Sequence, residues 1–336
     1  MSRNMTRILP LLAVVAIATA RLSAQDPQLS QWYAAPMYLN PALTGNTHQD
    51  RIGINYRLQW PGIGPGYKTY AVAYDHRAAD INSGIGGMVM HDRAGTFNLA
   101  FTQMALNYSY EARINRRRAV RGGIRAAYTS RTFDQGNMLF ADQVIRDNAP
   151  RSIEAPSMQN VSYLDFSAGF LYYSEQFWAG FSTNHINRPQ QSIYLDGDAQ
   201  LPIRSSVHAG YRFPLDGRSF RYSETKMTLA AHYKAQQKWD QLDLGGYVDH
   251  REVSFGLWYR GLPGLKAYQP GYPNDDAVIL MMGYETPYQL RLVYSYDVTV
   301  SKLTMKSGGA HEISVIYEWP RTGKNRKYRA VPCPKF

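Results

Sequence analysis

Over Arg51 to Trp60 the chain reads RIGINYRLQW, with Ile52, Ile54, Tyr56, Leu58 and Trp60 on every second position and Arg51, Gly53, Asn55, Arg57 and Gln59 between them. A period of two places successive side chains on opposite faces of a β-strand, so this run has one apolar and one polar face. YQLRLVYSYDVTVS repeats the pattern, with Tyr288, Leu290, Leu292, Tyr294, Tyr296, Val298 and Val300 in phase. HEISVIYEW does so again, setting Ile313, Val315, Tyr317 and Trp319 against Glu312, Ser314 and Glu318. A helix needs apolar residues three and four apart, and these runs break that spacing throughout.

The same alternation predicts strands near 50–60, 67–76, 84–91, 97–113, 119–132, 162–173, 177–186, 203–213, 226–236, 241–249, 252–260, 276–285, 288–300 and 310–319. That is about fourteen strands, an even number. INRRR, YSEQ, DHR and ETP make tight connections, whereas 134–160, 187–200 and 261–275 are long and rich in Pro, Asn, Asp and Gly. Short turns on one side and long loops on the other describe an outer-membrane β-barrel. A secreted β-sandwich would also alternate, but its strands usually run to about six residues, and ten or more suit a tilted membrane crossing. Aromatic residues also gather at the ends of the apolar faces, as Tyr56 with Trp60, Tyr108 with Tyr110, and Tyr317 with Trp319. That is where interfacial girdles sit. The fold class expected is therefore all-β: a transmembrane antiparallel barrel of about 14 strands.

In a barrel the polar face is the lumen. It would hold Arg51, Arg57, Asp75, Glu111, Arg113, Arg121, Arg125, Asp165, Arg212, Asp243, Glu252, Arg291, Asp297 and Glu312. These mixed charges read either as cross-strand pairs that fill the interior or as the wall of a wet pore. A bore of this strand number is too wide for side chains alone, which predicts a further plug.

Two segments precede the barrel. Residues 1–24 have a basic start at Arg3 and Arg7, an apolar run from Ile8 to Ala20, and small residues up to Ala24. This is the layout of a cleaved signal peptide, and the apolar run is shorter than the roughly 20 residues of a spanning helix. Residues 25–48 open with QDPQLSQWYAAPMYLNPALTG, where Pro27, Pro36 and Pro41 each remove a backbone donor. Such a segment makes a poor central strand. Trp32, Tyr33 and Tyr38 offer anchors, and Gln28, Gln31 and Asn40 offer amides for lumen charges, so the expectation is a plug-like piece that enters or caps the periplasmic mouth. The barrel proper spans 49–319.

Composition constrains partners. The chain has 26 tyrosines, whose apolar ring and polar tip suit a membrane boundary. Its formal charge is +11, concentrated in Arg116, Arg117 and Arg118 and in the tail 320–336, which holds Arg321, Lys324, Arg326, Lys327 and Arg329 and no acidic residue. An exported chain seldom meets nucleic acid, so acidic protein or lipid surfaces of the outer membrane are the expected contacts. With both ends of an even-stranded barrel facing the periplasm, the opening stretch, the Arg116–Arg118 turn and the tail would share one partner surface. The single cysteine, Cys333, allows no internal disulfide. Its histidines are scattered, with no Gly-x-Ser-x-Gly elbow and no His-Glu-x-x-His pair. The reading is a non-enzymatic protein with no catalytic, metal or cofactor site.

The opening stretch, together with NYRLQWPG, TYAVAYD, GIGGMVMHDRAG, LNYSYEARI, FADQ and YSYDVTVSKL in that order, resembles the PorP/SprF family of outer-membrane proteins from the type IX secretion system of Bacteroidetes. The resemblance implies a non-enzymatic component that supports export or surface attachment of proteins with a conserved carboxyl-terminal domain, a large gliding adhesin among them. It also implies partners in the periplasmic ring and its lipoproteins. An outer-membrane diffusion channel or hydrophobic-substrate transporter is the alternative.

Overall fold

The computed structural model describes residues 26–64, 66–95, 98–115, 117–134, 145, 158–195, 197–262, 274–301 and 305–319. The signal-peptide reading, Arg116, and the tail with Arg321, Lys324, Arg326, Lys327 and Arg329 lie outside them, as does most of the loops at 134–160 and 261–275.

Fourteen strands follow one another: β1 Asp50–Gln59, β2 Tyr67–Ala78, β3 Ser83–Ala94, β4 Leu99–Arg113, β5 Ala119–Thr132, β6 Val161–Tyr173, β7 Phe177–Asn184, β8 Arg204–Pro214, β9 Thr225–Gln236, β10 Trp239–His250, β11 Val253–Gly261, β12 Asp275–Glu285, β13 Leu290–Thr299 and β14 Ala310–Glu318. Each pairs antiparallel with its neighbour in sequence, and β1 closes on β14 from Arg51 opposite Glu318 to Gln59 opposite Ala310. Closure leaves no unpaired sheet edge, which is what a strand-built membrane protein requires.

The alternation in the sequence becomes inside and outside. On β1, Gly53 and Asn55 are buried while Ile54 between them is 45% exposed. The outer surface is an apolar band that includes Val72, Leu106, Ile124, Leu257, Leu280 and Ile313. Aromatic pairs border it at both ends. Trp60 meets Tyr67 edge-on at 5.5 Å at one, and Tyr74 meets Trp319 at 6.4 Å at the other. With the apolar body of the ring in hydrocarbon and its polar tip in the headgroup layer, these belts fix the barrel's depth.

The end where β1 starts and β14 finishes carries the connections 79–82, 114–118, 174–176, 251–252 and 286–289, all tight. The opposite, or loop, end carries 133–160, 185–203 and 262–274. Three connections depart from the simple alternation. Residues 95–98 and Gln237–Lys238 are short connections on the loop side, and Leu215–Glu224 is a long turn on the tight side. The long turn is ordered internally, because the Asp216 carboxylate accepts from the backbone of Arg218 and Glu224, and Arg218 and Arg251 both pair with Glu224.

Candidate functional site

The polar face of the barrel encloses the segment from Asp26 to Thr47. Pro36 and Pro41 each start a helical turn, Pro36–Leu39 and the 3-10 turn Pro41–Leu43, where proline's fixed φ fits and its missing N–H is not needed. Asn40 joins them: its side-chain oxygen accepts from Ala42 N at 2.9 Å, and its amide donates to the carbonyls of Phe170 and Phe181 on the wall. A further 3-10 turn spans Trp32–Ala34. The result is a compact chain of turns with no strand, as the three prolines require.

The segment is expected from its sequence to enter or cap the periplasmic mouth; it lies inside the lumen and extends to the opposite end. Asp26 contacts His185, just past the loop end of β7, and Arg204, the first residue of β8 at the same end. Ser30 and Gln31 bond to residues in the loop-end part of β13 and β14. Met37 lies mid-barrel with Met88, Ala105 and Ala127. Thr44 and Gly45 reach Ser109, Arg121 and Asp75 near the tight end. The segment therefore runs the length of the lumen. Its amino-terminal side stands at the loop end, so it does not share a side with the Arg116–Arg118 turn.

Three kinds of contact hold it. Apolar burial comes first: Trp32 packs edge-on against Trp258 and Tyr33 stacks on the same ring at 5.7 Å, while Leu29 packs with Ala71 and Met90. The second is a set of arginine clamps on backbone carbonyls. Arg125 donates to Met37 O, Arg121 to Thr44 O at 2.5 Å, and Arg77 to Gly45 O at 3.2 Å. Irregular backbone away from water needs such donors, because an unpaired buried carbonyl is costly.

The third is a buried charge cluster near the loop end. Arg57 reaches Asp297 at 2.9 Å and Glu312 at 3.2 Å, and Arg260 reaches Asp243 at 2.7 Å and Asp297 at 3.1 Å. Ser30 sits between them. Its backbone N–H donates to Glu312 at 2.6 Å, its hydroxyl donates to Asp297 at 2.5 Å, and it accepts from Arg57 and Arg260. Gln31 adds a backbone bond to Glu312 and side-chain bonds to Ser295 Oγ and Glu312 O. Gln28, with its amide oxygen turned to the guanidinium, accepts from Arg260 at 2.9 Å. Several of the lumen charges thus hold the plug as well as one another.

At the loop end the His185 imidazole bridges Asp165 at 3.0 Å and Asp26 at 2.8 Å, and Arg204 reaches Asp26 at 2.7 Å. Tyr38 completes this latch. Its hydroxyl donates to Pro27 O at 2.6 Å, and Arg204 and Arg125 lie over its ring. Burial alone would raise the Asp26 carboxyl, but His185 and Arg204 outweigh it and hold it well below the ordinary range. Burial likewise opposes charge on His185, yet Asp26 and Asp165 push it up to about 9. The stability this imidazolium supplies is complete below the ordinary histidine value of about 6.5 and is lost as pH rises through about 9. The purified barrel is accordingly expected to melt at progressively lower temperature as pH rises from about 6.5 to about 9, and His185→Gln should flatten that slope; equal slopes in the two proteins would count against the latch.

Glycines clear the path of the plug. A Cβ at inward-facing Gly123 would run into the backbone of Pro41 and Ala42, whereas at neighbouring, outward-facing Gly122 it meets nothing within 4 Å. Gly123→Ala is expected to destabilise the barrel by about 1–3 kcal/mol, and Gly122→Ala by less than about 0.5 kcal/mol. Thermal shifts of the heat-modifiable band in gels measure both.

Other residues singled out in the sequence fall as follows. Gln28, Gln31, Trp32, Tyr33, Tyr38 and Asn40 all lie in the lumen. Arg117 and Arg118 are exposed in their turn and donate backbone N–H to Asn115. Glu252 belongs to the β10–β11 turn and not to the polar wall, because the strands end one residue to either side of Arg251–Glu252. The Arg113 side chain is 53% exposed and pairs with Glu111 at the tight end. Periodicity missed Asp26, Ser30, Arg77, Arg204 and Arg260. Arg260 was recoverable, being in phase with inward Trp258. Among the described residues no cluster of three His, Cys, Asp or Glu is placed to hold a metal ion.

Comparison with known proteins gives one family match. No curated protein matches the sequence. Among solved structures the barrel is similar to Omp33 of Acinetobacter baumannii, at 8% identity over 82% of this chain and 100% of that one, TM-score 0.44. It is also similar to the CymD monoaromatic hydrocarbon channel, at 11% identity over 86% and 93%, TM-score 0.47, and to the KdgM porin, at 8% identity over 80% and 99%, TM-score 0.39. The model of the type IX secretion system membrane protein PorP/SprF matches residues 22–317, from just ahead of the plug to the closing strand. With the closed barrel and its two aromatic belts, that match places the chain in the outer membrane and makes it a member of the PorP/SprF family of type IX secretion system membrane proteins.

Proposed function

We propose that this protein serves the type IX secretion system as a plugged scaffold and not as the conduit through which cargo passes. Family membership makes it a membrane component of that system. The observation that supports the scaffold reading is the occupied lumen. Asp26 to Thr47 fills it from end to end, and Trp32, Tyr33, Ala42, Leu43 and Thr44 are each less than 5% exposed. A polypeptide could cross only after breaking the apolar packing, the arginine clamps and the charge cluster together.

In this role the long loops at one end hold exported proteins that bear a conserved carboxyl-terminal domain, a large gliding adhesin being one such cargo. The tight end, with Arg117 and Arg118, faces the periplasmic ring and its lipoproteins. Loops positioned by a rigid scaffold are where binding surfaces commonly lie. Two measurements test the proposal. Purified protein in planar bilayers is expected to carry no steady current, whereas a large one would favour a diffusion channel or a transporter of hydrophobic substrates. Pull-down in mild detergent should recover ring components and a cargo protein, and their absence from a correctly assembled barrel would refute the secretion role as stated.

A further inference from the structure

We infer that the start of the plug at Asp26 is delivered through the barrel's own lumen to the loop side, so that a polypeptide at the cell surface can reach the chain there and a periplasmic one cannot. The direction of the plug rests on independent contacts at successive depths. At the loop end, Asp26 is held by His185 and Arg204, which flank the β7–β8 loop. Below it, Gln28 and Ser30 meet Arg260, the penultimate residue of β11 before its loop. Mid-barrel, Arg125 takes the carbonyl of Met37, and Asn40 bonds Phe170 and Phe181. At the tight end, Arg121 and Arg77 take the carbonyls of Thr44 and Gly45. From there the chain enters β1 at Asp50, on the side where β14 ends.

The plug thus starts at the loop end at Asp26, turns back toward that end at Tyr38, whose hydroxyl meets Pro27 O, and finishes at the tight end ahead of Asp50, so the two ends of the barrel domain lie on opposite sides. Reversing the plug would separate Asp26 from His185 and Arg204 and leave Asp297 and Glu312 without Ser30 and Gln31. This inference does not depend on the scaffold role, since it concerns which side the end reaches and not what binds there.

The test is side-specific labelling in whole cells. In a Cys333→Ser background, which removes the single native thiol, a short Gly-Ser tag carrying one cysteine is inserted directly ahead of Asp26. Lys238→Cys, in the loop-side hairpin, and Ser219→Cys, in the tight-side Leu215–Glu224 turn, serve as the two references, both at exposed positions. With a membrane-impermeant maleimide the tag cysteine is expected to label in intact cells to the extent of Lys238→Cys, while Ser219→Cys labels only after the outer membrane is permeabilised. A tag that follows Ser219→Cys in a barrel of native heat-modifiable mobility overturns the inference. If the tag blocks assembly, a single cysteine inserted between Gln25 and Asp26 in the same background asks the same question with one added residue, and protection of that thiol in intact cells with labelling after permeabilisation is likewise decisive against it. Neither outcome depends on recovering a secretion partner.

Discussion

Deleting Asp26 to Pro36 with residues 1–25 left in place is expected to prevent the barrel from folding, rather than to leave a folded barrel with an open pore. The deletion removes Leu29, Trp32 and Tyr33 from the interior, each contributing about 1.5–3 kcal/mol through burial of its side chain. It also removes the donors that Ser30 and Gln31 give to Asp297 and Glu312, leaving those carboxylates with fewer partners in a water-poor interior. Set against a usual net stability of about 5–15 kcal/mol, these losses decide the outcome. Loss of the heat-modifiable folded band and of outer-membrane recovery is the expected result. A stable deletion variant with a large bilayer current would show that the segment is a removable gate.

The second large effect is expected at Arg57. Its guanidinium is 2% exposed and lies between Asp297 and Glu312, themselves 3% and 0% exposed. Removing one partner from such a cluster leaves buried charge uncompensated, so Arg57→Met is expected to cost about 3–5 kcal/mol. The asymmetry of buried ion pairs gives a second reading of the same site. Replacing the three charges together, as Arg57→Met with Asp297→Asn and Glu312→Gln, should recover much of that loss, because no ion is then stranded. Arg212→Met supplies the comparison at the mouth. Its pair with Asp249 is 16% and 15% exposed, and water can replace the lost partner, so the cost should be nearer 1 kcal/mol. Midpoints of thermal unfolding in detergent rank the variants. An Arg57→Met midpoint equal to that of Arg212→Met would mean that the cluster does not hold the plug.

The barrel was legible in the sequence because one face of every strand meets lipid and the other meets the lumen, so the period of two survives along the body. The plug was legible only in part. Pro27, Pro36 and Pro41 exclude a central strand, and the aromatic and amide side chains mark the segment as something to be enclosed. Its depth and direction were not readable, because they are set by partners far along the chain: Ser30 finds Asp297 at a separation of 267 residues and Glu312 at 282. No local pattern encodes that choice. Arg77 and Arg204 escaped for a related reason. They sit near strand ends, where lumen, mouth and loop are hard to distinguish by alternation, and what identifies each is the plug atom it touches.

The socket for Ser30 also sets an order of assembly. Arg57 on β1 and Glu312 on β14 face each other in register across the seam that closes the barrel, and both bind Ser30. Neither strand offers the complete socket alone. The plug residues, which precede every strand in the chain, therefore wait for the last strand, and sealing the cylinder and seating the plug become one cooperative step. Such contacts between distant parts of the chain make folding slow, so the unsealed intermediate has to be kept soluble until its final strand arrives.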